Sequence, residues 1–337
     1  MSVPSRDAIS TSFHGATRFR EPQASILRFN REGSSMHNWR RLLVTIAMVT
    51  LSQPAVAGMT PWIPFQLYGG HITIPVRIAD HDTFALLDSG AQINAINTDF
   101  IKQHELALDP GEKIRVRGIH EESERFTYNN VPVELFGIAF EVDGMVAIPF
   151  SNRRATMIIG ASFFSRFLVQ LDYPNQQMRL IDRDELNLAK SENIRTLPQT
   201  GSGTPIVEVV VGQREKIWLA LDTGNNGGVF VERKLAEKMG WLDSMDVERH
   251  RSAGANAIAE VESFLIPELK FGPYTLENVQ ATVPAEGAKL SVASSNSRVG
   301  SRIRGKRVRG LIGYDVLKHF LLTIDYSGGH LHVGLPE

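Results

Sequence analysis

The 337-residue chain contains no cysteine. That excludes disulfides, a cysteine nucleophile and anchorage through a lipidated cysteine. It also lacks an excess of either charge, with 36 Lys and Arg against 37 Asp and Glu for a net charge of −1. A membrane-length apolar run is missing where one would be needed. The stretch from Leu42 to Leu51 has ten residues, about half of what a spanning helix requires. Helix signals are few outside "TDFIKQHEL", "ASFFSRFL", "ERKLAEKMG" and "YDVLKHFL", whereas short Val- and Ile-rich runs bounded by Gly, Pro and Asn recur. What remains is a globular composition, 42% hydrophobic and 22% charged, long enough for two small, mainly β domains.

The N-terminal stretch reads as a targeting segment. In "MHNWRRLLVTIAMVTLSQPAVAG", Arg40 and Arg41 precede the short apolar core, and Ala55-Val56-Ala57 supplies the small residues of a cleavage site. Cleavage is expected after Ala57, giving a periplasmic or secreted protein without a stable membrane anchor. Residues 1–35 are polar and patternless, and either extend the signal or precede the true start at Met36.

Downstream, the chain is duplicated. "ALLDSGAQINAIN" and "LALDTGNNGGVFV" each run apolar residues into Asp-Ser/Thr-Gly, at Asp88 and Asp222. The lead-ins "HITIPVRIADHDTFALLD" and "PIVEVVVGQREKIWLALD" place the two aspartates the same 17 positions after His71 and Pro205. "PVELFGIAFEVDGMVAIP" and "PELKFGPYTLENVQATVP" share Pro-x-x-x-Phe-Gly, and "MIIGASFFSRFLVQLDYPNQQMRL" aligns without a gap with "GLIGYDVLKHFLLTIDYSGGHLHV". A match at this period describes two equivalent lobes rather than a solenoid. The division is an extension and signal over 1–57, a first lobe over 58–195, a linker over 196–204 and a second lobe over 205–337.

Two equivalent lobes bring equivalent loops to a pseudo-twofold axis, so Asp88 and Asp222 are expected to meet there. Two carboxylates in contact cannot both ionise; they share a proton, one acting as base and the other as acid. That answers why an apolar strand ends in a carboxylate, which is costly to bury alone. Gly90 and Gly224 allow the backbone to approach the carboxylates, and Ser89 and Thr223 can bond across the interface. Taken one at a time, each tripeptide is also the composition of a strand-ending turn.

These motifs, each followed by an apolar-apolar-Gly block ("MIIG", "GLIG"), resemble the aspartic proteases of the retropepsin and pepsin clan, and bacterial retropepsin-like proteins with two tandem domains in particular. The resemblance covers most of residues 66–337. It implies two closed β lobes, a peptide-binding cleft, catalytic roles for Asp88 and Asp222, and supporting roles for Ser89, Gly90, Thr223 and Gly224. It also implies flap hairpins, with tips expected near Gly118 and Gly254 and Tyr128 as a candidate flap tyrosine. Asn225-Asn226-Gly227-Gly228 departs from the first motif, so a wider or asymmetric second loop is expected.

The expected activity is hydrolysis of extended peptide or protein substrates without a cofactor or metal, by a monomer whose lobes pair internally. The alternative is a catalytically silent peptide-binding protein on the same duplicated fold. Asp172 and Asp325, in "LDYPNQQ" and "IDYSGGH", read as turn residues. His330 and His332 share a strand face, but no third metal ligand stands at a telling spacing. The stretch from Ala285 to Arg309 is Gly-, Ser- and Arg-rich and reads as a solvated loop. No aromatic residues are interleaved with its charges, so nucleic acid is not an expected partner. Export gives the first test: N-terminal sequencing of the mature protein should begin at or near Gly58, and an intact chain retained in the cytoplasm would refute it.

Overall fold

The computed structural model describes residues 18–19, 58–117, 122–150, 154–198, 204–212, 214–253, 258–287, 293–294, 297–298, 302–303 and 306–336. The signal segment, the flap positions Gly118 and Gly254 and most of the basic stretch lie outside the described residues. The protein is mainly β, with two short α-helices in the first lobe and three in the second among the described residues. No described helix is long and apolar enough to cross a membrane.

Each lobe is built around one strand that delivers an aspartate. In the first, His71–Ile78 buries Ile72, Ile74, Val76 and Ile78, the alternation of a strand with one face on a core. It turns back through Ala79 and Asp80, at φ 44° and 66°, into His81–Leu87. Two left-handed residues in a two-residue connection match the twist of the strands they join. In the second lobe, Pro205–Val211 pairs with Glu215–Leu221 across a connection of three residues.

The lobes agree in finer detail. His81–Leu87 runs parallel to Ala155–Ile159, and Glu215–Leu221 runs parallel to Lys306–Ile312. Both pairs carry a register shift at the same place, between Ala155 and Met157 in one and between Trp218 and Leu219 in the other. A bulge kept at equivalent positions in both halves is a feature of the repeated unit. Short strands Ala95–Asn97 and Val229–Val231 then lie antiparallel to the same partners.

A third sheet joins the lobes. Leu168–Asp172 from the first pairs antiparallel with Leu321–Asp325 from the second, in a five-stranded sheet. Its buried residues, among them Val169, Leu171, Leu322 and Ile324, belong to one apolar core that extends through both halves. Across this pairing, buried Gln170 Nε2 donates to Thr323 Oγ1 at 2.8 Å. The turns at its ends use the two repeated aspartates. Asp172 accepts from the Asn175 amide at 3.1 Å, and Asp325 accepts from the Gly328 amide at 2.7 Å and pairs with Arg183 at 2.8 Å.

Two sequence expectations need correction. The linker 196–204 does not begin as a spacer: Thr196–Pro198 pairs antiparallel with Pro205–Val207 as a strand of the second lobe. Likewise Lys306, Arg307 and Arg309 are not in a loop but in the strand Lys306–Ile312. There Val308 is fully buried, so alternation turns its neighbours outward. Arg307 reaches both oxygens of Glu232 at 3.0 Å, and Arg309 reaches Oε2 at 3.1 Å. A two-residue strand, Arg18–Phe19, lies on Glu277 and Leu276; export with cleavage after Ala57 would remove it.

The same strand contains the tightest approach in the second lobe. A Cβ on Gly310 would stand 1.8 Å from the Phe230 carbonyl oxygen and 2.9 Å from its carbon, both of them backbone atoms that cannot rotate away. Gly310→Ala should therefore lower stability by about 1–3 kcal/mol, as overpacking does. The expected result is a lower denaturant midpoint with an unchanged m-value; an unaltered midpoint would contradict the close approach.

Candidate active site

Each aspartate is fixed first by its own strand. The Asp88 amide donates to the Ile159 carbonyl at 3.0 Å, and the Asp222 amide to the Ile312 carbonyl at 3.0 Å. The chain then turns back on the carboxylate. Asp88 Oδ1 accepts from the amides of Gly90 at 2.8 Å and Ala91 at 3.1 Å, while Asp222 Oδ1 accepts from the Gly224 amide at 2.9 Å.

Crosswise hydrogen bonds lock the two loops together. The Ser89 amide donates to Thr223 Oγ1 and the Thr223 amide to Ser89 Oγ, both at 3.0 Å. Each hydroxyl in turn donates to the strand below the other aspartate, Ser89 Oγ to the Leu221 carbonyl at 3.0 Å and Thr223 Oγ1 to the Leu87 carbonyl at 2.9 Å. Ser89 and Thr223 are buried, so every one of these groups is satisfied out of water.

The structure thus brings Asp88, Ser89, Gly90, Asp222, Thr223 and Gly224 together. A Cβ on Gly224 would stand 2.3 Å from Asp88 Cγ and Oδ1, and one on Gly90 would stand 2.7 Å from Asp222 Oδ1. Each glycine of one lobe is therefore pressed against the carboxylate of the other, and no other residue fits. The two carboxyls are close enough for each to act on the other's titration. Burial pushes both above the usual carboxylate range. Backbone amides work against that rise on both, Gly90 and Ala91 for Asp88 and Gly224 and Asn225 for Asp222, while the Asp88 charge drives Asp222 further up. Two carboxyls raised and coupled in this way titrate as a pair, not as independent acids.

The surroundings contain residues that sequence reasoning passed over. Thr204 is buried and donates from Oγ1 to the Ser89 carbonyl at 2.6 Å. Below the loops lie the buried phenols of Tyr173 and Tyr326, both pushed up by burial. They follow the two turn aspartates, so their repeated Asp-Tyr context was the available signal. His71 is close enough for its charge to act on Asp88.

The second loop is not wider than the first. The Ala91 amide donates to the Asp88 carbonyl and the Asn225 amide to the Asp222 carbonyl, both at 3.2 Å, so one turn shape serves both. What differs is how the loop meets the following Gly. In the first lobe Asn94 Oδ1 accepts from the Gly160 amide at 3.0 Å; in the second the Gly228 carbonyl accepts from the Gly313 amide at 2.8 Å.

Other candidates fall elsewhere. Hairpins stand where the flaps are expected, Asp109–Arg117 with Glu122–Asn129 and Glu248–Ala253 with Ile258–Phe271. Tyr128 sits at the end away from the turn, opposite Pro110 and Met145 and packed on the core, so it is not a flap-tip residue. His330 Nδ1 faces Glu192 Oε2 and His332 Nδ1 faces the Ser191 carbonyl, both at 2.6 Å. No group of three or more metal-ligating side chains occurs among the described residues.

The glycine contacts make a direct test. Gly224→Ala places a methyl group where the Asp88 carboxylate stands, so the two carboxyls must separate and their titrations uncouple. Carboxyl-carbon NMR of the folded variant should show two nearly independent ionisations in place of two widely split steps; an unchanged split would refute the contact.

Comparison with known proteins agrees with this geometry. A search of curated proteins finds no match. The sequence pattern of the aspartyl protease family matches residues 74–163 and 207–316, and those two segments hold the two aspartate loops and the strands that fix them. On that double match, the chain belongs to the aspartyl protease family.

Proposed function

We propose that the protein is an exported aspartic endopeptidase in which Asp88 and Asp222 together activate the water that attacks a peptide bond. The observation that carries this reading is the pair of facing carboxyls, each closed against the glycine of the opposite lobe. The ionised carboxylate removes a proton from water as its oxygen adds to the peptide carbonyl. The protonated carboxyl gives its proton to the carbonyl oxygen, so a neutral tetrahedral diol forms and the pair's charge has moved to the other member. Collapse of the diol, with a proton delivered to the leaving nitrogen, releases amine and carboxylic acid and restores the pair. The flap hairpins would cover an extended substrate, and a single chain supplies both lobes, which fits a monomer.

A silent peptide-binding protein would need the cleft but not the pair. The full complement of Ser89, Thr223, Gly90 and Gly224 contacts around both carboxylates therefore favours the enzyme. Digestion of a peptide library separates the two readings. Wild-type chain should cleave with a bell-shaped pH profile, falling in acid when both carboxyls are protonated and in base when both ionise. Asp88→Asn and Asp222→Asn should each reduce kcat/KM by at least about 10³-fold while still folding, since either change removes one partner of a unit that acts together. Cleavage that survives in both variants, or none from the wild type, would reject the proposal.

A further inference from the structure

In each lobe a row of paired residues crosses the sheet from the aspartate strand to the hairpin. In the first, Leu86, two residues before Asp88, pairs with Ile158, which pairs with Ala95, then Val146, then Thr127. In the second, Ala220, two residues before Asp222, leads through Leu311, Phe230 and Thr282 to Ser263. Cross-strand partners project to the same face of a sheet. Here that face is turned away from the lobe core, because the sequence neighbours Leu87, Ile96 and Ile159 are the ones packed inside. Alternation puts the aspartates on the same face as their rows, so each row runs from a carboxyl out to a hairpin strand.

The rows give the two hairpins a common register. Thr127 and Ser263, which end them, are both buried hydroxyls. Two residues nearer the hairpin turn and on the same face, the second lobe has Val261, 1% exposed and packed with Phe230 and Leu311. The first lobe has Arg125 there. Its cross-strand partner is Ile114, which packs on Ala95 and Val146, so the arginine shares the inward, apolar face of the hairpin. Lys113, Arg115, Glu124 and Phe126 alternate with these residues and are exposed. Among the described residues, Arg125 Nε is buried without a hydrogen-bond partner, as is Ser123 Oγ two residues further along that face, and no carboxylate pairs with the guanidinium.

We propose that Arg125 is a specificity-determining residue, which receives a carboxylate side chain of the substrate beside the scissile bond. The proposal rests on the peptidase reading and names its substrate class, extended peptides with Asp or Glu at one position. A cation enclosed without a counter-ion is costly, and no step of the hydrolysis uses this one. An incoming carboxylate supplies the missing acceptor, and the planar guanidinium can hold both of its oxygens. Ser123 adds a hydroxyl donor on the same face. The first row also has the small Ala95 where the second has Phe230, which leaves space for a side chain under Arg125. In the second lobe Phe230 and Val261 take up the equivalent place and offer apolar surface alone. The duplicated fold thus carries one charged and one apolar subsite.

The test is a digest of a randomised peptide library by the full chain, above about pH 5, where Asp and Glu side chains are ionised. Cleaved peptides should show Asp or Glu enriched at a single position. For two peptides that differ only by Glu or Leu at that position, kcat/KM should favour Glu by about ten- to hundredfold, the scale of a charge-assisted hydrogen bond. Arg125→Val, which copies the second lobe, should reverse the preference, and Arg125→Lys, which keeps the charge and loses the fork, should retain a weaker one. Cleavage by wild type without acidic enrichment, or with the same enrichment in Arg125→Val, overturns the proposal and leaves the peptidase reading standing. If wild type cleaves nothing, the peptidase reading fails, and capture of the same library on the immobilised full chain decides the role of Arg125. Acidic peptides retained by wild type and lost from Arg125→Val uphold it; capture without that bias, or no capture, overturns it.

Discussion

Everything in this molecule is arranged so that nothing stands between the two aspartate loops. A single methyl group on Gly224 would reach the Asp88 carboxylate, and one on Gly90 would reach that of Asp222. An ionised carboxylate left alone at such a depth would cost several kcal/mol, and a neighbouring carboxyl able to hold a proton lowers that cost. The contact must be held by groups that cannot drift, and amide-hydroxyl bonds in both directions between Ser89 and Thr223 supply this. Each hydroxyl also donates to the opposite strand, so the loops cannot separate without stranding four buried polar groups.

Such a junction requires the lobes themselves to be fixed. The five-stranded sheet does this from below, pairing Val169 to Asp172 of one half with Leu321 to Ile324 of the other. Because its apolar residues continue into both lobes as one core, lobe separation would expose core as well as break hydrogen bonds. A duplicated chain gains from this geometry. Two separate copies would have to find each other in solution, whereas here the partner is always present at the local concentration set by the connecting chain.

Much of this was legible in the residues. Paired Asp-Ser/Thr-Gly motifs, the repeated Phe-Gly turns and the Ile-Gly blocks together identified two lobes and the loops that meet between them, because each rests on short-range backbone chemistry. Register was not legible. The ungapped match of Pro132–Pro149 with Pro267–Pro284 conceals a slip: the first lobe turns at Phe136-Gly137, pairing Leu135 with Ile138, while the second turns at Gly272-Pro273, pairing Phe271 with Tyr274. Turn geometry, not residue identity, sets which positions face one another. The basic stretch misled for a related reason, since the outward face of a strand can be as charged as a loop when its inward face is Val308 and Gly310.

A second difference of one residue separates the hairpins that lead into the aspartates. Equal spacing in sequence makes Pro205 the counterpart of His71, and spacing alone hides the offset. The hairpin between the lead strand and the aspartate strand has two residues in the first lobe and three in the second, so the strands of the second lobe pair one residue out of step with those of the first. A symmetric pair of carboxyls has no physical reason to place its proton on one member. Here the lobes differ where each aspartate loop meets the following glycine, through the Asn94 side chain in the first and the Gly228 backbone in the second. Duplication supplies two acids on one scaffold, and differences of this kind between the lobes are what allow one to serve as acid and the other as base.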